Sequence, residues 1–265
     1  MALLISSLYC GYEKIEELDA FLKDNEGALG GEYTFKNDVE YIRRFENVLK
    51  YADYPLSFHG PLINAEPFSL KGSKDYDMFI ESYEKTFELA SKYSARHVVY
   101  HTSYKPFKKE NIPFAFEVCF ENTARIVEMA EQAGVRLLIE NLPTPPGGEA
   151  LIDNKMFFDM FKKLDAFAII DTGHANITGL DVEKFVAEYG NRVKANHIHN
   201  NKGMWDTHNS IFEGTFDFSE FEKIYKKYTP FNDIILEYKP TCGLSYGDIK
   251  EHSLYVKNRF MNEQR

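Results

Sequence analysis

Six of the eight histidines in this 265-residue chain stand at short polar exits from apolar runs or in the loop before the last such run, and carboxylates follow several of those runs directly. The exits read Phe58-His59-Gly60-Pro61, Val99-Tyr100-His101-Thr102, Ile139-Glu140-Asn141-Leu142, Ile170-Asp171-Thr172-Gly173-His174, Asn196-His197-Ile198-His199-Asn200 and Leu236-Glu237-Tyr238. Trp205-Asp206-Thr207-His208 occupies the loop before the last run. Taken singly, these residues are ordinary: a lone His at a strand end is usually hydrogen-bonded into a core, and a lone Glu usually pairs with a nearby Lys. Taken together they are costly, because several buried carboxylates and imidazoles around one mouth need a cation to neutralise them. Mixed imidazole nitrogen and carboxylate oxygen suit Zn²⁺, Mn²⁺, Fe²⁺ or Co²⁺, whereas oxygen alone would favour Mg²⁺ or Ca²⁺. The set predicts a divalent-metal site.

Other chemistries leave weaker traces. Neither a GxSxG nucleophile elbow nor a phosphate-cradling GxxxxGK[ST] loop is present. Cys119 falls mid-helix and reads as core, and Cys242, in Pro240-Thr241-Cys242-Gly243, could face the mouth but has no paired base. With Cys10 these make three widely spaced cysteines without a CxxC pair, which points to reduced thiols in a cytoplasmic protein.

The elements that must position these residues alternate along the chain. Short runs rich in β-branched or aromatic residues span 3–8, 31–35, 56–59, 97–101, 137–142, 167–171, 193–199 and 234–238. Several are apolar on consecutive residues, as expected of strands buried on both faces. Amphipathic stretches lie between them. Phe79, Tyr83, Phe87 and Ala90 share one helical face, as do Phe116, Phe120, Ala124, Val127 and Ala130, and Phe218, Phe221, Tyr225 and Tyr228. Gly134 sits where the second of these helices needs a cap. Eight strand-then-helix units predict an α/β fold, a (β/α)8 TIM barrel, as a single domain over residues 1–265. A doubly wound sheet is the alternative, but its GxGxxG turn is missing after the first strand. Pro143 to Gly148 reads as a long strand-to-helix loop rather than a linker.

Composition narrows the partners. Hydrophobic residues at 44% and charged residues at 27% describe a globular chain with a sizeable core. The net charge of −10, without a basic block beyond short pieces such as Lys105 to Lys109, ranks nucleic acid below a small-molecule partner. No apolar run approaches the roughly 20 residues of a membrane span, and no secretory signal is expected. Homo-oligomerisation stays open.

The four most specific pieces are Ile139-Glu140-Asn141-Leu142, Asp171-Thr172-Gly173-His174, His197-Ile198-His199-Asn200-Asn201, and Asp206-Thr207-His208 leading to Glu213-Gly214-Thr215-Phe216-Asp217-Phe218. From about Tyr54 to Tyr238 the chain resembles the xylose isomerase-like barrel superfamily of sugar isomerases, sugar epimerases and endonuclease-IV-type AP endonucleases. In the epimerases one metal is held at positions matching Glu140, Asp171, His197 and Glu237. In the endonucleases further metals recruit positions matching His59, His101, His174, Asp206 and His208, so the resemblance implies one cation and allows up to three. The DNA-inserting aromatic is missing after Gly60-Pro61-Leu62-Ile63-Asn64, and His199-Asn200-Asn201 replaces the endonuclease Asn-Asp pair.

Two mechanisms then compete. An isomerase or epimerase of a small sugar, polyol or sugar phosphate would use a Zn²⁺, Mn²⁺ or Co²⁺ Lewis acid to stabilise a developing enediolate. Glu140 and Glu237, both kept ionised by the metal, would exchange the proton. His174, His199 and His208 would bind hydroxyls, with Trp205 either packing on the sugar or serving as an ordinary loop residue, and His199 is equally open to a supporting role behind the ligands. The alternative is a multi-zinc AP endonuclease that cleaves phosphodiesters.

Overall fold

In a computed structural model of the chain, which describes residues 1–25, 27–103, 105–144, 146 and 149–261, eight strands close into a parallel barrel. They are β1 (Leu3–Ser6), β2 (Gly30–Thr34), β3 (Leu56–His59), β4 (Val98–Tyr100), β5 (Leu137–Glu140), β6 (Phe167–Asp171), β7 (Val193–Ile198) and β8 (Asp233–Leu236), each hydrogen-bonded to the next and β8 to β1. Helices follow in turn: α1 (Ile15–Lys23), α2 (Val39–Lys50), α3 (Lys74–Lys92), α4 (Ile112–Gln132), α5 (Asn154–Lys163), α6 (Thr172–Thr178), α7 (Val182–Tyr189), α8 (Phe218–Tyr228) and α9 (Tyr246–Val256). The expected (β/α)8 TIM barrel is the observed fold, with two helices after β6. No helix among the described residues is long and apolar enough to cross a membrane.

Side chains alternate between two cores because strand residues point to opposite faces in turn. Leu3, Ile5, Phe58, Tyr100, Ile139, Ile170 and Ile234 face outward to the helices, where they join a large aromatic-rich core. Ala2, Leu4, Val99, Leu138, Ile169, Ala195 and Ile235 form a second, smaller cluster, which fills the barrel interior. Two residues beyond the members of this inner layer stand His101, Glu140, Asp171, His197 and Glu237. The same period therefore fills the interior and raises a polar ring above it.

Several strands are shorter than the apolar runs suggest. His101, His199 and Glu237 lie just past β4, β7 and β8, because the barrel ladder ends where the loops fan out. The expected inner face of α4 is corrected by one position. Ala115, Cys119, Thr123, Ile126 and Ala130 are buried, while Phe116, Phe120, Ala124 and Val127 are half-buried at the flanks. The small residues allow the helix to approach closely, and its buried polar groups are satisfied. Asn122 donates to the carbonyls of Pro67 and Ser69, and Thr123 donates to that of Cys119. Hydropathy alone could not centre such a face. Faces on α3 and α8 hold, with Phe79, Tyr83, Phe87, Ala90, Phe221 and Tyr225 buried. Gly134 closes α4 with φ of 68°. Of the Pro143 to Gly148 loop, Pro145, Gly147 and Gly148 lie outside the described residues; beyond it, Glu149 pairs with Phe107 of the preceding long loop.

Candidate metal centre

Around the carboxyl ends of the strands, ten side chains fall into three adjoining groups whose ligand atoms each lie within 4.8 Å of one another. One group is His59, His101 and Glu140; the second is Glu140, Asp171, His197 and Glu237; the third is His174, His199, Asp206 and His208. Glu140 belongs to two groups. All nine candidate ligands named from the sequence are brought together here, and His199 joins them.

Local structure aims these atoms. Three backbone carbonyls accept from imidazole Nδ1: Gly60 from His59 at 2.9 Å, Asn141 from His174 at 2.9 Å and Glu237 from His208 at 2.9 Å. A carbonyl can only accept, so each ring carries its proton on Nδ1 and presents a bare Nε2 to the mouth when neutral. Asp171 divides its oxygens between two tasks. Oδ1 caps α6 by accepting from the His174 amide at 2.6 Å, while Oδ2 lies 3.0 Å from His199 Nε2. Asn141 clamps the same strand end, donating to the Asp171 carbonyl and accepting its amide. His208 adopts a left-handed backbone, φ 46°, a conformation that costs a non-glycine residue of order 1 kcal/mol. The His199 ring lies over Gly173, where any Cβ would collide with it, and stacks on His208 with centroids 3.8 Å apart.

Electrostatics show what such convergence costs. Burial alone would raise the Glu140 carboxyl, but His101 and His197 hold it well below the usual carboxylate range. Asp171 and Asp206 are also held low against burial, by His174 with His199 and by His174 with His208. Glu237 goes the other way: burial and the charges of Glu140 and Asp171 raise it despite His197 and His208. The sequence reading expects a metal to keep both glutamates ionised; in the absence of a cation their environments separate them. Burial lowers His101 and His208, and also opposes protonation of His59, His174 and His197, which the surrounding carboxylates nevertheless raise.

The donor set fits a divalent cation. His59 Nε2 and His101 Nε2 face each other at 3.1 Å beside Glu140 Oε2, 2.8 Å from His101. Asp206 Oδ1 and His199 Nδ1 are buried without a hydrogen-bond partner among the described residues. Nitrogen and oxygen ligands in this mixture suit Zn²⁺, Mn²⁺ or Co²⁺.

A cleft of about 270 Å³ opens above the groups, lined by His59, His101, His174, Asp206, His208 and Glu237 together with Leu8, Thr34, Leu62, Pro143 and Lys239. Trp205 is not among its lining residues and is 60% exposed on its loop. Cys242 packs against the outer core in a short 3-10 turn instead of facing the mouth, and burial pushes the Cys119 thiol up to about 12. Two residues escape the sequence reading. Lys239 reaches Asp206 Oδ2 at 3.3 Å, and the fully buried Glu32 accepts from His197 Nε2 at 2.8 Å. Glu32 sits in Gly30-Gly31-Glu32-Tyr33-Thr34, where a single acid within a glycine-rich strand carries no exit signal.

The comparisons agree with this architecture. The uncharacterized protein MJ1311 of Methanocaldococcus jannaschii is 27% identical over 229 residues, 83% of this chain and 75% of its own length. A solved D-tagatose 3-epimerase-like protein superposes with a TM-score of 0.77 at 22% identity, covering 97% of this chain and 98% of that one. The IOLI protein with a bound zinc atom superposes with a TM-score of 0.75 at 13% identity, covering 99% and 100%. At such identities the structural likenesses establish the shared fold. Residues 11–253 match the family description "Xylose isomerase-like TIM barrel", and the chain belongs to that family.

Proposed function

We propose that the protein is a divalent-metal-dependent isomerase or epimerase of a small sugar, polyol or sugar phosphate. The observation that carries this reading is the placement of two buried carboxyls, Glu140 and Glu237, on one four-residue ligand group. Both lie beside His197 Nδ1, at 3.2 and 3.6 Å, at the floor of the cleft. Two carboxyls on one metal group can remove a proton from a carbon acid and return one.

A bound cation would supply Lewis-acid polarisation of the substrate carbonyl. Glu140, Asp171, His197 and Glu237 would hold it. One of Glu140 and Glu237 would take the proton from the carbon next to that carbonyl, and the other, after gaining a proton from water, would deliver it to the opposite face. Exchange with water then resets the pair. His174 and His208 present Nε2 to the cleft, where a neutral ring accepts from a substrate hydroxyl. The cleft lies near the lower end of the roughly 300–1,000 Å³ typical of ligand sites, and Lys239 is its one Lys or Arg among the described lining residues. A small neutral or singly phosphorylated carbohydrate suits that space better than a nucleic-acid backbone, which draws on clustered cations. The D-tagatose 3-epimerase-like neighbour lends the same direction.

One observation favours a second reading, phosphodiester hydrolysis: the additional ligands form complete groups on either side of the first. Charge accounting separates the two. Glu140, Asp171, Asp206 and Glu237 total −4 when ionised; one dication leaves −2, while three leave +2 and favour an anionic phosphodiester. Metal analysis and a screen of ketoses, aldoses and their phosphates in D₂O with Mn²⁺, Co²⁺ or Zn²⁺ test the choice. One equivalent with deuterium at the carbon next to the carbonyl supports the proposal. Three equivalents with nicking of abasic duplex DNA replace it with the hydrolase.

A further inference from the structure

Beneath the mouth, inside the barrel, lies a carboxylate that neither reading uses. Glu32 of β2 has no exposed surface. An isolated buried carboxylate costs many kcal/mol unless its neighbours compensate it. Its neighbours do so on three sides. Oε1 accepts from His197 Nε2 at 2.8 Å, Oε2 accepts from Ser57 Oγ at 3.2 Å, and His97 Nε2 lies 3.5 Å from Oε2. Ser57 is its register partner on β3.

The orientation of His197 follows from this contact. Its Nε2 points down to Glu32, while its Nδ1 points up, 3.2 Å from Glu140 Oε1, 3.6 Å from Glu237 Oε2 and 3.8 Å from Asp171 Oδ2. His59, His174 and His208 are fixed in the opposite sense, through Nδ1 to a backbone carbonyl. His197 has no such carbonyl partner among the described hydrogen bonds. Its far nitrogen is held instead by an acid beneath the mouth. Glu32 Oε1 accepts from Nε2 at 2.8 Å while its other oxygen accepts from Ser57, so Nε2 is the nitrogen that carries the proton.

We propose that Glu32 is a positioning residue of the metal centre: it holds the Nε2 proton of His197 from below, makes Nδ1 the nitrogen offered to a divalent cation, and raises that nitrogen's basicity. This rests on the mouth being a metal centre, and deepens that reading by naming which nitrogen binds and what fixes it. Outer partners of this kind commonly contribute about 10–100-fold to metal affinity.

The test uses Mn²⁺ affinity and histidine NMR on the full chain. Glu32→Ala should weaken Mn²⁺ binding by about 10–100-fold, with Glu32→Gln falling between it and the parent because an amide oxygen still accepts. In ¹⁵N-histidine spectra of the Zn²⁺-loaded parent, His197 should carry a protonated Nε2 and a metal-bound Nδ1. Unchanged Mn²⁺ affinity in both variants, with or without a lowered melting temperature, overturns the inference. If Glu32→Ala fails to fold, Glu32→Gln and the parent spectrum decide alone. Failure of the metal reading looks different: the parent binds no Mn²⁺. The metal-free spectra then decide, since a downfield, slowly exchanging His197 Nε2 proton that is lost or shifted in the variants supports the positioning role, and its absence from the parent overturns it.

Discussion

The two ends of the barrel hold the same kinds of side chain and resolve them differently. At the amino ends of the strands, Asp233 is bound by Arg96 through two hydrogen bonds of 2.6 and 2.8 Å and accepts the Ala2 amide at 2.7 Å. That carboxylate has a fixed guanidinium, and the cluster is complete. At the carboxyl ends, Glu140, Asp171, Asp206 and Glu237 face imidazoles and a single lysine, Lys239. Imidazoles bind protons or cations reversibly, whereas a guanidinium stays charged at any working pH. The base is therefore a structural clamp, while the mouth is left to be neutralised by something that can come and go. This follows the general division of labour in such barrels, with stability at the amino end and chemistry at the carboxyl end.

The largest expected effects fall at the mouth. Glu140→Gln and Glu237→Gln should each lower turnover by about 10²–10⁴-fold, and more where metal is lost as well. Glu237→Gln should not lower the stability of the metal-free protein, because burial and the neighbouring carboxylates disfavour its charge, whereas Glu140→Gln should lower it, because His101 and His197 stabilise that carboxylate. Turnover, metal content and urea unfolding on the same samples check this. A fully active Glu140→Gln enzyme with its metal bound would end the proton-transfer role of that residue.

Asp233→Ala should show the reverse pattern. It strands Arg96 and the Ala2 amide, and with Arg96 partly solvated the loss should be about 2–3 kcal/mol in urea unfolding. Metal content should not change. Loss of metal with little loss of stability would erase the contrast between the ends.

Acidity probes the mouth without mutation. His174 and His197 are raised, so a cation must expel protons to bind. Mn²⁺ affinity should climb as pH rises from about 6.5 toward the raised values of these rings, by up to about tenfold per unit for each proton expelled. Stability of the metal-free protein should run oppositely. A raised folded value contributes stability that is full below about 6.5 and lost as pH climbs through the folded values. Titration calorimetry and melting curves across that range measure both, and a pH-independent affinity would show that no protons are expelled.

Smaller effects follow. Gly173→Ala forces the His199 ring from its place, an overpacking cost of about 1–3 kcal/mol, and should weaken occupancy of the His174, Asp206 and His208 group more than that of Glu140, Asp171, His197 and Glu237. Cys242→Ser, packed on the outer core away from the mouth, should leave turnover unchanged. Loss of activity there would reopen a thiol mechanism.

Much of this was legible in the chain itself. The apolar runs place the strands, and the polar residue two positions beyond a barrel-facing residue must stand at the mouth, because strand side chains alternate. Leu138 with Glu140, Ile169 with Asp171, Ala195 with His197 and Ile235 with Glu237 all follow this rule. The misreadings came where local pattern and packing diverge. The inner face of α4 is made of small and polar residues, so its large aromatics pointed one position away. Cys242, open to facing the mouth by its place after β8, packs on the outer core instead.

The sequence by itself determined the barrel, the ring of candidate ligands and the acidic character of the mouth, since alternation and strand exits are local and repeat every two residues. Only the tertiary structure decided how those ligands divide into three groups, which ring nitrogen each histidine presents, and that Glu32, 165 residues before His197, lies directly beneath it. Barrel closure brings distant strands face to face across a few ångströms, and no spacing along the chain carries that distance.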